Sequence, residues 1–158
     1  MLELLQDLGA HCEWADAVLF HTWGKGPARD QEELRGRVQH ILGVQQAFLA
    51  VLRGETSTLP GDDPPPTYAE LTDWAVRVHG DMNAQVASLG EGDLVRQVQI
   101  PWIPDCTITV QDALLQSRLH SQHHRGQCMT RLKEFGGEPK NVDWIIWVWK
   151  QKPAPRWG

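Results

Sequence analysis

Three histidines are the residues of this chain whose type and spacing favour metal chemistry. His120 and His124 are four residues apart, so on a helix both imidazoles lie on one face, about one turn from each other. His40 lies in an earlier stretch of apolar residues at helical spacing and offers a third nitrogen. We expect these three side chains to bind one divalent ion. Imidazole ligands suit zinc, and also nickel or iron.

An ion held by three neutral imidazoles keeps its full charge. It can lower the pKa of a bound water or thiol and hold the resulting anion as a nucleophile. Two other metal chemistries are excluded, because the chain has neither paired Glu-x-x-His motifs nor a His-Glu-x-x-His motif. Cys128 follows His120 by eight residues, about 12 Å along a helix, so we expect a buried thiol and not a fourth ligand.

The neighbours of the histidine pair are candidates for supporting roles. His123 lies about 100° round the helix from His124, which predicts a surface position or an outer contact to the ligands. Gln127 lies about 20° from His120 on the helical wheel and is a candidate to orient a bound ligand by hydrogen bonding. For Arg125 we expect a surface salt bridge, with contact to an anion as the alternative.

Two further residues could reach a pocket from the first predicted helix. His11 and Trp14 are three residues apart at the edge of its apolar face. Either they form a half-solvated boundary of the core, or they contact substrate directly or through water. His79, in contrast, lies off the apolar stripe of the third predicted helix, so we expect it at the surface.

Apolar residues at three- and four-residue steps predict four helices. Their predicted ranges are 2–23, 30–53 with a cap at Asp30, 71–89, and 109–135 with an N-cap at Thr109. A Pro-rich loop, 55–67, joins the second and third helices, and a short hairpin or extended crossover is predicted over 93–107. Trp102 and Ile103 of this crossover either rim a pocket or make ordinary loop contacts.

These elements predict an all-α helical bundle, a fold in which metal sites form between facing helices. We expect a single domain over residues 1–152 and a frayed tail over 153–158. Residues 142–149 are apolar on both faces, so they must pack on their own bundle or on a partner subunit.

Composition narrows the range of partners. The 15 basic and 20 acidic residues give a net charge of -5 without a basic cluster, which argues against nucleic acid binding. The three cysteines show no Cys-x-x-Cys spacing, which is typical of reduced thiols in the cytosol. The N-terminus lacks a signal-peptide pattern, and no apolar run approaches the ~20 residues of a membrane span. We therefore expect a soluble cytoplasmic protein without membrane contact.

Several motifs together resemble the DinB-like superfamily, also called the YfiT-like metal-dependent hydrolases. They are His120-x-x-His123-His124-Arg125-Gly126-Gln127, His40-Ile41-Leu42-Gly43-Val44, Leu52-x-Gly54-Glu55, Gly136-x-x-Pro139 and Asp143-Trp144. The resemblance runs from about Trp14 to Trp149. It implies an up-down-down-up four-helix bundle, often a homodimer, that binds a divalent metal through His40, His120 and His124.

The resemblance also implies an activity. Several relatives are S-transferases or isomerases that use a low-molecular-weight thiol such as bacillithiol or mycothiol, so a metal-dependent thiol S-transferase acting on small electrophiles is the first expectation. The alternatives are hydrolysis by metal-bound hydroxide and a non-catalytic, stress-induced metal-binding protein. The chain departs from the family pattern at Leu119, commonly Asn, and at Ser121, commonly Glu. Any supporting role of those two positions toward the ligands is therefore unfilled.

Overall fold

A computed structural model describes residues 1–59, 61 and 64–157. Its helices are α1 (Leu2–Gly24), α2 (Glu32–Arg53), α3 (Tyr68–Ala87), α4 (Val110–Glu134) and the short α5 (Trp144–Trp149). A 3₁₀ helix (Glu91–Val95) and two strands, β1 (Gln97–Gln99) and β2 (Thr107–Thr109), lie between α3 and α4. The predicted all-α bundle is confirmed. The described part of the 55–67 connection has no helix or strand, and Pro60, Asp62 and Asp63 lie outside the described residues.

Contacts between side chains fix the directions of the four long helices. They are Arg37 with Gln127 and Glu33 with Arg131 (α2 and α4), Glu13 with Asn83 and Asp16 with His79 (α1 and α3), and Gln46 with Trp74 and Arg53 with Gln85 (α2 and α3). Residue numbers run in opposite directions across the first two helix pairs and in the same direction across the third. Helices α2 and α3 are therefore parallel to each other and antiparallel to α1 and α4, which is the up-down-down-up arrangement.

The ends of α2 agree with the prediction at one end only. Gly54 ends the helix in the left-handed conformation with φ 72°, which glycine adopts without strain. The predicted cap at Asp30 is wrong, because α2 begins after Gln31 and has no side-chain cap there. Asp30 instead lies in a turn closed by a hydrogen bond from Gln31 N–H to the Ala28 carbonyl, at 3.1 Å.

The predicted crossover is an antiparallel hairpin that leads directly into α4. Val98 of β1 pairs with Ile108 of β2, and the turn between the strands is closed by Ile100 N–H donating to the Cys106 carbonyl at 2.9 Å. Thr109 ends β2 and caps α4, since its hydroxyl accepts from Asp112 N–H while the Asp112 carboxylate accepts from Thr109 N–H. The hairpin is thus held at the start of α4.

The segment after α4 packs on its own chain. Trp147 of α5 is 2 % exposed and packs with Trp14 and Val142 in a small apolar cluster against α1. Ile145 and Trp149, on the same short helix, remain 67 % and 76 % exposed. Tertiary packing therefore uses only part of the apolar surface in this segment.

The last residues differ from the frayed tail that the sequence predicts. The Trp147 indole N–H donates to the Pro153 carbonyl at 3.2 Å, and the Trp157 ring lies 5.6 Å from that of Phe20. The Trp157 indole N–H also points to a Glu13 carboxylate oxygen 3.4 Å away. An indole offers both an apolar ring and one donor, and here each finds a partner on α1.

Over the described chain, no helix is both long and apolar enough to span a membrane.

Candidate metal site

Helices α2 and α4 bring together the imidazoles of His40, His120 and His124, hereafter the histidine cluster. Their ring centroids are 4.9 Å (His40–His120), 4.6 Å (His40–His124) and 4.4 Å (His120–His124) apart. One nitrogen from each ring can be chosen so that all three lie within 4.8 Å of one another. These are the three side chains that the spacing of the sequence selects, and such a cluster could hold a metal ion.

The antiparallel packing of α2 against α4 explains this convergence. His120 and His124 stand one turn apart on α4, and His40 faces them from α2. Further along the same helix pair, Arg37 donates to Gln127 at 3.2 Å and Glu33 accepts from Arg131 at 2.9 Å. These polar contacts fix the register in which His40 faces the histidine pair.

The nitrogen geometry fits a small cation. The Nε2 atoms of His40 and His120 lie 3.2 Å apart. In tetrahedral zinc sites with metal–nitrogen bonds of about 2.0–2.1 Å, two ligand nitrogens are about 3.3 Å apart. The buried Nδ1 of His120 has no hydrogen-bond partner within the described chain, so the Nε2 side carries the polar contacts of this ring. His40 and His120 would therefore hold a cation through their Nε2 atoms.

Burial and mutual repulsion favour the neutral forms of His40 and His120. Burial, followed by the nearby His124, His40 and His123, lowers the pKa of His120 to about 4. Burial and then His124 also lower the pKa of His40. Metal binding requires the unprotonated imidazole, so at neutral pH these two ligands need not lose a proton to bind an ion.

Gln127 contacts the cluster differently from the sequence expectation. Its Oε1 lies 3.0 Å from His124 Nδ1 and 3.2 Å from the donating Arg37 Nη1. Since this oxygen only accepts, His124 carries its proton on Nδ1, which leaves Nε2 free for an ion. Gln127 therefore orients a histidine of the cluster. The exposed His123 lies beside the cluster, with its ring centroid 5.0 Å from that of His124 and its Nε2 3.0 Å from Gln127 Nε2.

His11 and Trp14 lie with the C-terminal segment and not with the histidine cluster. His11 is 7 % exposed, and its Nε2 lies 2.9 Å from the Val142 carbonyl, to which it donates. Burial lowers the pKa of His11, so the ring is neutral in this apolar setting. Its ring also contacts Trp14, Trp144 and Trp147. Both residues therefore hold the C-terminal segment against α1.

A cavity of about 460 Å³ opens beside the histidine cluster. His40 and His120 form part of its wall, and the hairpin contributes Trp102 and Ile103. Of the two roles considered for these hairpin residues, the structure supports the rim of a pocket. A larger cavity, about 770 Å³, lies between α2 and α3, but none of the three histidines lines it. We therefore assign the chemistry to the smaller cavity.

A second polar cluster, which the sequence did not predict, lies inside the bundle. Asp16 is 2 % exposed, forms an ion pair with Arg125, and accepts from His79 Nε2 at 2.8 Å and Gln45 Nε2 at 3.2 Å. We call these four residues the Asp16 cluster. The expected surface positions of Arg125 and His79 are wrong, since the two residues are 1 % and 0 % exposed. The spacing of His79 could have indicated its burial, because this residue is four residues after buried Ala75 and three before buried Met82.

The Asp16 cluster is charged but internally neutralised. Burial alone would raise the pKa of Asp16, but Arg125 and His79 hold it well below its ordinary value. Burial alone would lower the pKa of Arg125, and Asp16 raises it above its ordinary value. Both groups therefore stay ionised at neutral pH as a buried pair.

The two departures from the family pattern face away from the histidine cluster. Ser121 is buried, accepts from Gln45 Nε2 at 3.0 Å and donates to the Ser117 carbonyl at 2.9 Å. Leu119 is 65 % exposed.

Cys128 is fully buried, as predicted, and burial raises the pKa of its thiol to about 12.

The fold and the site together define an up-down-down-up helical bundle with a three-histidine cluster between its second and fourth helices. The family profile of the DinB superfamily matches residues 4–128, and the chain therefore belongs to that superfamily. The crystal structure of a DinB-like protein from Bacillus cereus ATCC 10987 is similar, with a TM-score of 0.63 over 89 % of this chain and 93 % of that one. At 14 % identity this likeness shows the fold alone. No curated protein matches the sequence.

Proposed function

We propose that this chain binds one divalent metal ion through His40, His120 and His124 and transfers a low-molecular-weight thiol to a small electrophile. The observation that supports it is the convergence of three imidazoles beside a cavity, with ligand nitrogens within 4.8 Å of one another. Membership of the DinB superfamily supports it too. Zinc, nickel and iron all suit this donor set.

Each residue has a defined part in this proposal. A divalent ion supplies the charge that lowers the pKa of a thiol or a water and so favours the nucleophilic anion. His40 and His120 present Nε2 atoms at the cavity wall, while Gln127 fixes the tautomer of His124. Phe48 and Trp102, whose rings meet edge to face at 5.4 Å, exclude water from the adjoining space.

Metal-dependent hydrolysis is the second candidate, and the cavity supplies a reason to keep it. Small thiol cofactors such as bacillithiol carry carboxylates, and the cavity lining within the described chain includes no Lys or Arg to bind them. Water has no such requirement. Activity without any added thiol would therefore favour hydrolysis, and absence of both activities in metal-loaded protein would favour a metal-binding protein without turnover.

Elemental analysis of purified protein tests the metal site. We expect one divalent ion per chain in wild type and its loss in His124→Ala. The matched control is His123→Ala, because His123 neighbours the cluster on the same helix but is exposed. Metal-loaded protein should then conjugate bacillithiol to 1-chloro-2,4-dinitrobenzene faster than metal-free protein. Equal rates with several thiols would exclude the transferase.

We also propose that the chain acts as a homodimer in the reducing cytoplasm. Large apolar side chains remain exposed on three helices: Leu4 (48 %), Leu119 (65 %), Ile145 (67 %) and Trp149 (76 %). Such side chains are common at subunit interfaces. The free cysteines suit a reducing compartment. Sedimentation equilibrium should give twice the chain mass for wild type and a lower mass for Leu119→Asp; a monomeric wild type would refute the dimer.

A further inference from the structure

The cavity beside the histidine cluster has walls of two kinds. One wall comes from α2 and the hairpin and is apolar, with Val44, Phe48, Ile100, Trp102 and Ile108. The other comes from α4 and carries polar groups. A ligand in this space would thus lie between an apolar surface and the face of α4 that bears His120.

The apolar wall is preformed. The Phe48 and Trp102 rings pack edge to face with centroids 5.4 Å apart. The turn that carries Trp102 is closed by backbone hydrogen bonds from Ile100 to Cys106 at 2.9 Å and from Ile103 to Ile100 at 3.1 Å. At about 460 Å³, the cavity falls in the size range of small-molecule pockets. Little side-chain ordering is required for a flat ring to enter it.

Among the described residues, no Lys or Arg side chain lies on the polar wall. Asp112, Gln116 and His120 follow one another at four-residue steps along α4 and line the cavity together. Within the described part of the chain, no Lys or Arg lines it, so away from the proposed metal ion the charged side chain that a ligand carboxylate or phosphate would meet is the Asp112 carboxylate. Arg37 lies beyond His124, at Gln127, where it is bonded to Gln127 and Glu33. Away from the ion, the charges of the lining side chains thus favour an uncharged ligand body.

We propose that the cavity binds the electrophilic substrate of the transfer reaction. This substrate is a small, uncharged molecule with an aromatic or branched apolar body. The inference rests on the proposed function. The apolar body lies against Phe48, Trp102 and Ile108, and its polar end points toward His40 and His120. A carboxylate or phosphate on that apolar body, directed away from the ion, is rejected. A methyl-sized body leaves the apolar wall in contact with water, so it binds more weakly.

Three hydroxamates test this proposal by calorimetry on zinc-loaded protein, because a hydroxamate binds zinc whatever its body. We expect benzohydroxamate to bind at least about tenfold more tightly than acetohydroxamate, from burial of the phenyl ring. 4-Carboxybenzohydroxamate should bind at least about tenfold more weakly than benzohydroxamate. Trp102→Ala should remove most of the phenyl preference without changing acetohydroxamate binding. Trp74→Ala is the matched control, since it removes a half-buried indole from the other cavity.

A second experiment separates failure of this proposal from failure of the metal site. Saturation-transfer NMR with benzyl alcohol on metal-free protein should show ring contact in wild type and Trp74→Ala but not in Trp102→Ala. If no hydroxamate binds but this ring contact persists, the metal site fails and the apolar pocket stands. Equal affinity for benzohydroxamate and acetohydroxamate, a preference for the carboxylated compound, or no effect of Trp102→Ala on either probe would overturn the substrate class.

Discussion

The histidine cluster and the Asp16 cluster are both built on the same stretch of α4, yet they differ in what their polar atoms contact. In the Asp16 cluster, both carboxylate oxygens of Asp16 are bound by side chains of the same protein. In the histidine cluster, three imidazoles face one another beside a cavity. The side chains of the Asp16 cluster bind one another and so hold the bundle together. The imidazoles of the histidine cluster direct ring nitrogens to a common space and are therefore suited to a ligand.

The largest expected effect is loss of stability in Asp16→Ala. Removing this carboxylate leaves the Arg125 guanidinium buried without its counter-charge, so the free energy of unfolding should fall by about 3–5 kcal/mol. Urea denaturation followed by circular dichroism measures it. Asp7→Ala is the matched control, because Asp7 is on the same helix but pairs with Lys152 at the surface, and should cost at most about 1 kcal/mol. Similar losses in both variants would remove the distinction between the clusters.

The second effect is on metal affinity and not on stability. His120→Ala removes one of three ligands and should weaken zinc binding by more than about 100-fold, beyond the loss expected for an outer partner. The same substitution should change the unfolding free energy of metal-free protein by less than about 1 kcal/mol, because no hydrogen-bonded charge is left behind. Competition with a chelating dye gives the affinity. A metal-free His120→Ala as unstable as Asp16→Ala would show that the histidines are structural.

A smaller loss is expected from Gln127→Ala. Without the Oε1 acceptor, the His124 imidazole is free to change tautomer and orientation, and zinc affinity should fall about 10- to 100-fold. Gln116→Ala is the control, since Gln116 lies on the same helix and lines the cavity without a hydrogen bond to His124. Unchanged affinity in Gln127→Ala would mean that His124 is held by packing alone.

The smallest expected effect is on the pH dependence of stability in metal-free protein, where the two clusters act over different pH intervals. The folded-state pKa values of His40 and His120 are lowered from 6.5, for His120 to about 4, so the unfolded chain binds more protons as pH falls through this interval. Stability should therefore decline from pH 6.5 toward 4. The pKa of Asp16 is lowered from 3.8, so its contribution is present above that pH and is lost below it.

Denaturation midpoints at a series of pH values test these two intervals. Combining His40→Ala with His120→Ala should reduce the decline between pH 6.5 and 4, leaving the part that His11 contributes, and should keep the acidic decline in place. Asp16→Ala should do the reverse. If the double histidine variant keeps the full upper decline, other groups are responsible for it.

The sequence predicted the histidine cluster because its signal is local and periodic. His120 and His124 are one turn apart, and His40 lies among apolar residues at helical spacing, so residue type and spacing selected the three side chains. The packing of α2 beside α4 is a long-range contact that spacing does not show. The helix bounds were similarly accessible, since capping residues such as Thr109 act on neighbouring backbone groups. Features that depend on contacts within a turn or two of helix are the ones that spacing can predict.

The Asp16 cluster escaped prediction because its signal is distributed over four helices. Asp16, Gln45, His79 and Arg125 are each a lone polar residue on an otherwise apolar or mixed face, and each alone is typical of a surface position. Only when three-dimensional packing places them together does burial become favourable for all four. The packed Trp157 was missed for a related reason, since its partners on α1 are more than a hundred residues away.

Helix α4 carries both clusters, on two adjacent stripes of one cylinder. Ser121 and Arg125 face the bundle interior, while His120 and His124 face α2. Rotation of α4 about its own axis by one residue, about 100°, would withdraw Arg125 from Asp16 and also separate the imidazoles. Ion release should therefore coincide with global unfolding, without an earlier local step. A chelating dye and the far-ultraviolet signal, followed in one titration with urea, should report the same midpoint, so the bound ion would serve as a built-in reporter of native structure.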